Sequence, residues 1–168
     1  MRRIASLVLV LLGCQAAGAQ TPPAASPDHD AVLALVDKFM HAVSTNDSAA
    51  MKALALEGTL NTVAGPAPDG GTRITRRPFE PVTPPAGPRP ERRERYWDPT
   101  VQLRGSIAVV WAPYEFWRDG KTTHCGIDVF DLVKQDGAWR IAHIMYTVEP
   151  EACPQLRSTN PSRVRPVP

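Results

Sequence analysis

Between His124 and Val133 the chain reads HCGIDVFDLV, setting a histidine, a cysteine and an aspartate among residues that belong in a packed interior. Imidazole and carboxyl groups are the side chains that move protons near neutral pH. An apolar wall around a few such groups is the composition of a small-molecule pocket. The preceding stretch, VWAPYEFWRDGK, supplies material for that wall in Trp111 and Trp117, with Glu115 between them. A two-residue turn at Asp119-Gly120 pairs Arg118 with Lys121. Counting back from it sets Glu115 opposite His124 and Trp111 opposite Asp128, with Trp117, Gly126 and Phe130 on the same face. Asp128 and His124 are then the candidate catalytic groups, and Trp111, Glu115, Trp117 and Phe130 the candidate ligand-binding residues. A structural reading competes: Glu115 and His124 as a cross-strand ion pair, Asp128 as the partner of an indole or a tyrosine hydroxyl.

Tyr146 is a conditional member of the site. If the QDG turn has three loop residues, Ala142, Ile144 and Tyr146 join the face of Asp128; if it has two, Ile141, His143, Met145 and Thr147 do. Proton transfer to a carbonyl substrate would also need a donor at the developing oxyanion, such as Tyr114 or Tyr146. Strict alternation puts Tyr114 on the opposite face, with Ala112, Phe116, Cys125, Ile127 and Val129.

Other chemistry finds little support. His29, His41, His124 and His143 never fall at metal-ligand spacing, and Cys125 and Cys153 lack the close pairing of a zinc site, so no metal is expected. No glycine-rich phosphate loop or nucleophile elbow occurs, and no cofactor is implied. Eight arginines fall between Arg73 and Arg104, but Glu80, Glu91, Glu94 and Asp98 interleave with them and no nucleic-acid-binding motif accompanies them. Nucleic acid is not an expected partner.

The elements that must position these residues begin after a leader. MRR, the apolar run IASLVLVLLG and the small-residue stretch CQAAGAQ have the layout of a signal peptide over 1–19. LLGC offers an alternative, a lipoprotein signal over 1–13 with Cys14 lipidated. The expected location is periplasmic or secreted, with membrane attachment only through that lipid. Without Arg2 and Arg3 the chain holds 17 basic and 17 acidic residues, so the basicity belongs mostly to the leader. Residues 20–27 read as a flexible lead-in. Ser26 and Pro27 open a helix whose Val32, Leu35, Val36, Phe39 and Val43 recur at helical spacing, and Asp47 caps a shorter one that Gly58 stops. The proline- and arginine-rich stretch near 65–95 reads as a long loop with at most one short strand. From Trp97 onward, four apolar stretches separated by RG, DG and QDG read as an antiparallel meander. Residues 154–168 read as a disordered tail. In an oxidising compartment Cys125 and Cys153 are left as a disulfide candidate, if Pro150 turns the chain back.

The segments VWAPYEFWRDGKTTHCGIDVFDLV and AWRIAHIMYTVEPEAC resemble the nuclear transport factor 2-like superfamily, within it the secreted bacterial proteins grouped as SnoaL-like or lumazine-binding. The resemblance covers roughly residues 28–153. It implies an α+β, cone-shaped fold with amino-terminal helices packed on a curved antiparallel sheet, a ligand cavity, and often a dimer. The expectation is an exported, non-catalytic module for an unknown small-molecule ligand. The alternative is an acid–base enzyme of the isomerase, cyclase or dehydratase type using Asp128 and His124. A homodimer through the sheet is expected to cover the apolar face of Ala112, Tyr114, Phe116, Ile127 and Val129.

Overall fold

The computed structural model describes residues 26–80, 87 and 90–165. The leader, its alternative lipid site at Cys14, positions 81–86 and 88–89 of the proline-rich stretch and the last three residues of the tail lie outside the described residues.

Helix α1 spans Pro27–Ser44, and its start follows the local chemistry of the sequence. Ser26 accepts the amide of His29 at 3.2 Å, Pro27 needs no partner at the first helical position, and Asp28 and Asp30 sit at the positive end of the helix dipole. Val32, Val36, Phe39 and Met40 form its buried stripe. Asn46, at a φ of 56°, reverses the chain, and Asp47 caps α2 (Ser48–Leu54) by accepting the amide of Ala50.

The strands are β1 (Ala55–Pro66), β2 (Thr72–Pro78), β3 (Arg92–Trp97), β4 (Thr100–Arg104), β5 (Ile107–Arg118), β6 (Lys121–Gln135), β7 (Ala138–Thr147) and β8 (Val164–Arg165). They form one curved sheet in the order β2-β1-β7-β6-β5-β3-β8, with β4 also paired to β5. Among the described residues only β1 and β7 run parallel; the other pairs are antiparallel. β3 and β4 share one edge of β5, and the corner between them falls at Asp98, whose φ is 45°. The inner face of the sheet, including Val110, Ala112, Phe130, Leu132 and Ile141, packs with α1 into the single core.

The long hairpins depart from simple counting. Asp119-Gly120 makes the expected two-residue turn, with Arg118 opposite Lys121, but the pairing then slips. Thr122 faces Trp117 and His124 faces Phe116, so Thr123 is an extra residue in β6. A β-bulge of this kind adds local twist and exchanges the two sides of everything beyond it. Ala112 therefore lies opposite Asp128, and Glu115 opposite Cys125. The QDG turn is the two-residue form, Asp136-Gly137, with Gln135 opposite Ala138. A second bulge at Ala142 shifts β7 by one residue, so Asp128 pairs with Tyr146 after all.

Three strands occupy sequence read as helix end or loop, and the tail is ordered through Arg165. Cys153–Leu156 forms a short helix, α3, and β8 pairs with the end of β3. Trp97 donates from Nε1 to the Leu156 carbonyl at 2.6 Å. Arg165 makes a two-point contact with Asp37, which also accepts the Tyr96 hydroxyl at 2.6 Å. Arginines that composition assigns to solvent thus find specific acids. Composition registers polarity, whereas pairing depends on which strand edge the tail meets.

Candidate functional site

Bulging β6 at Thr123 gathers the chemistry on the concave side. Between α1 and the inner face of the sheet lies a cavity of about 280 Å³. Phe39, Phe79, Phe116, Phe130, Ile144 and Val148 contribute its apolar wall. Its polar lining comes from Asn61 on β1, Arg77 on β2, Arg92 and Glu94 on β3, Tyr114 on β5, His124 and Asp128 on β6, and Tyr146 on β7. A larger, more open recess of about 700 Å³, between the end of β1 and the Val148–Leu156 segment, offers as charged groups only the exposed Glu149 and Glu151. The smaller cavity holds the buried ionisable groups and is the better site.

Asp128 is 3% exposed, and its Oδ2 has no hydrogen-bond partner. Burial pushes its carboxyl well above the usual carboxylate range, and the nearby Glu94 raises it further. Burial also raises Glu94, to about 8, against a smaller opposing pull from Arg92. Two desolvated carboxyls that repel each other cannot both ionise at neutral pH, so the pair keeps a proton. The Glu94 backbone donates to Ser44 Oγ at 2.9 Å, which fixes β3 against the end of α1.

Tyr114 crosses Gly126 to donate its hydroxyl to the Thr147 carbonyl at 2.7 Å. Burial, with Asp128 next, holds its phenol well above the ordinary range. Tyr146 is raised by burial and then by Glu94, and a hydrogen bond with Asn61 partly opposes this. Burial lowers His124, which keeps its imidazole neutral near pH 7. The His124 ring stacks on Phe116, with centroids 5.4 Å apart.

Of the residues expected from sequence to form the site, Asp128, His124, Phe130 and Tyr146 meet in the cavity. Trp111, Glu115 and Trp117 do not; the Thr123 bulge places them on the outer face. Trp111 is 51% exposed there, and Trp117 lies beneath the Arg93 guanidinium. Glu115 is buried on that side by Arg95, Arg157 and Thr122. Burial alone would raise its carboxyl, but hydrogen bonds from Thr122, Arg157 and Arg95 bring it below the ordinary range. It is therefore an ionised structural latch and no pocket wall. Tyr114, assigned by strict alternation to the far side, lines the cavity, as do Glu94, Arg92, Arg77 and Asn61, which sequence reading left out. For Arg92 and Glu94 the signal lay in the alternation of RRERYW, where Arg92, Glu94 and Tyr96 share one face, masked by a charge density typical of solvated loops.

Cys125 shares the outer face with Glu115 and forms a disulfide with Cys153, with Cα atoms 5.0 Å apart. The required reversal runs from Glu149 to Ala152, whose amide donates to the Glu149 carbonyl.

No family model matches the chain, and no curated protein matches it. Solved structures do. One, a nuclear transport factor 2-like protein from Cytophaga hutchinsonii, is 17% identical, with a TM-score of 0.57 over 73% of this chain and 99% of that one. A nuclear transport factor 2-like protein with a cystatin-like fold from Novosphingobium aromaticivorans is 12% identical, with a TM-score of 0.55 over 78% of this chain and 89% of that one. The fold is that of the nuclear transport factor 2-like proteins. The beta subunit of a candidate aromatic-ring-hydroxylating dioxygenase from N. aromaticivorans has the same form, with 12% identity and a TM-score of 0.56 over 71% of this chain and 88% of that one. The nuclear transport factor 2-like fold thus hosts proteins of different kinds, and its concave cavity, here lined by Asp128 and Glu94, is the feature to interpret.

Proposed function

We propose that this protein is an exported small-molecule-binding module whose ligand occupies the cavity under α1. The observation that carries the reading is the set of buried polar atoms left without partners there, Oδ2 of Asp128 and Oδ1 of Asn61. Each such atom costs about 1–3 kcal/mol when desolvated and unpaired, a cost that a bound ligand can relieve. The apolar wall offers the rest of the contact surface, and binding needs nothing beyond this arrangement.

A second reading, an acid–base enzyme, is favoured by the two buried carboxyls of Asp128 and Glu94, whose burial and mutual repulsion favour the protonated form. One carboxylate can take a proton while the protonated partner donates a hydrogen bond. His124 lines the same cavity as a neutral base, and Tyr146 is the better oxyanion donor because the Tyr114 hydroxyl is committed to Thr147. The test is a high-resolution crystal structure of protein from its native host, inspected for density in the cavity, with Asp128→Asn as the companion variant. Bulky side chains filling the cavity would remove both readings. Retained binding with loss of ligand turnover in the variant would promote the enzyme. We also place a homodimer in this reading, with the outer face of the sheet as its contact.

A further inference from the structure

The inner cavity has an unbalanced set of charges. Arg77 and Arg92 both line it, and among the described residues neither enters a salt bridge. Nε of Arg92 is buried without a hydrogen-bond partner. Facing them are Glu94 and Asp128, close enough to influence each other and too desolvated to ionise together. Two guanidiniums without an ion-pair partner give this side of the cavity a cationic character. The same two arginines, with Asn61, Met51 and Phe79, also line an outer recess of about 210 Å³, so they stand where cavity and surface meet. On the rim of that recess Arg77 and Glu80 are both exposed, where solvent screens them, whereas Arg92 is half-buried.

We propose, on the reading of this cavity as a ligand site, that its ligand is a compact monoanion: an aromatic or alicyclic carboxylate held at the mouth by Arg77 and Arg92. Guanidinium forks match a carboxylate in shape and hydrogen-bond count. The body of the molecule lies against Phe39, Phe79 and Phe130, while the protonated carboxyl of the Asp128–Glu94 pair meets a polar substituent on the far side. The size fits as well. At about 280 Å³ the cavity lies just below the usual range of small-molecule sites, which starts at about 300 Å³, and it has room for a single ring with a short substituent. A planar carboxylate is also smaller than a tetrahedral phosphate, which suits a cavity of this size.

Isothermal titration of the full mature chain with benzoate, benzamide, benzylamine and phenyl phosphate tests this, because the four probes share a ring and differ in charge. Benzoate is expected to bind at least tenfold tighter than benzamide and phenyl phosphate, with benzylamine giving no heat. Arg77→Gln, on an exposed strand where folding is not at risk, and Arg92→Gln are each expected to weaken benzoate about tenfold or more and leave benzamide unchanged. Benzamide, benzylamine or phenyl phosphate binding as tightly as benzoate would overturn the monoanion and leave the binding site standing. Benzoate binding that neither variant weakens would overturn the role of the arginines. No binding by any of the four would remove the ligand class and the site together.

Discussion

Glu94 and Gly126 show how much of the site rests on single residues. Glu94 is protonated more readily in the folded protein than in the unfolded chain, with its carboxyl raised from 4.5 to about 8. Between those values the native state holds the extra proton, so this contribution to stability is complete at low pH and is lost as pH rises toward 8. Glu115 acts in the opposite sense. Its lowered carboxyl gives stability that is present above the ordinary glutamate range and lost as pH falls through the folded value. The urea midpoint is expected to peak near mildly acidic pH, and Glu94→Gln to flatten the alkaline side of that profile; an unchanged alkaline slope in the variant would refute the assignment. Gly126 has a steric role. A Cβ there would come within 2.2 Å of the Thr147 carbonyl oxygen and 2.8 Å of Tyr114 Cε1. Gly126→Ala is expected to cost about 2–3 kcal/mol in chemical denaturation, because the Tyr114–Thr147 bond and the strand pairing cannot both persist. A variant as stable as the parent would show that Tyr114 moves freely.

At the scale of elements, the carboxyl-terminal segment is bound to the sheet by contacts of different kinds. The Cys125–Cys153 disulfide joins β6 to α3, Arg157 reaches Glu115 on β5, and β8 extends the edge of β3. The disulfide closes a chain segment of 28 residues, for which loop entropy suggests about 3 kcal/mol of stabilisation. Cys153→Ser, or reductant added to the parent, is expected to lower unfolding free energy by roughly that amount while leaving the inner cavity intact, since both cysteines lie on the far side of β6. Equal denaturation midpoints with and without reductant would show that the ionic and strand contacts hold the segment unaided. The two bulges, at Thr123 and Ala142, belong to the same scale. Each adds one residue to a strand near its hairpin turn and so decides which side chains line the cavity.

For the whole molecule, the corrected faces move the expected contact between copies. Ala112, Tyr114 and Phe116 are covered by the protein's own helices, which frees them from any need for a partner. Exposed apolar side chains instead lie on the opposite side of the sheet, with Ile107, Val109 and Trp111 on β5 and Met145 on β7. Apolar groups grouped on an open sheet face commonly mark association. Light scattering at high micromolar concentration is expected to return a dimer mass for the parent and a monomer mass for Trp111→Arg. A monomeric parent would rule out the homodimer.

What depends on near neighbours along the chain was legible from the residues alone. The Ser26-Pro27 helix start, the apolar stripe of α1, the Asp119-Gly120 and Asp136-Gly137 turns and the four long strands all follow from local torsional preference and periodicity. Asp128 and His124 were legible as cavity-lining residues because a polar group in an apolar strand is costly unless it is used, whereas Tyr146 reached the cavity only through the bulge at Ala142. Tertiary structure alone decided the faces. A one-residue bulge carries no strong local signal, yet it exchanged Trp111, Glu115 and Trp117 for Tyr114. The charged strands β2 and β3 became part of the sheet only because β1 and β5 offered edges to pair with. Arg77, Arg92 and Glu94 are therefore absent from any local reading of the site. Their place depends on hydrogen bonding between distant segments and on the electrostatics of a shared enclosure, neither of which is written in the spacing of residues.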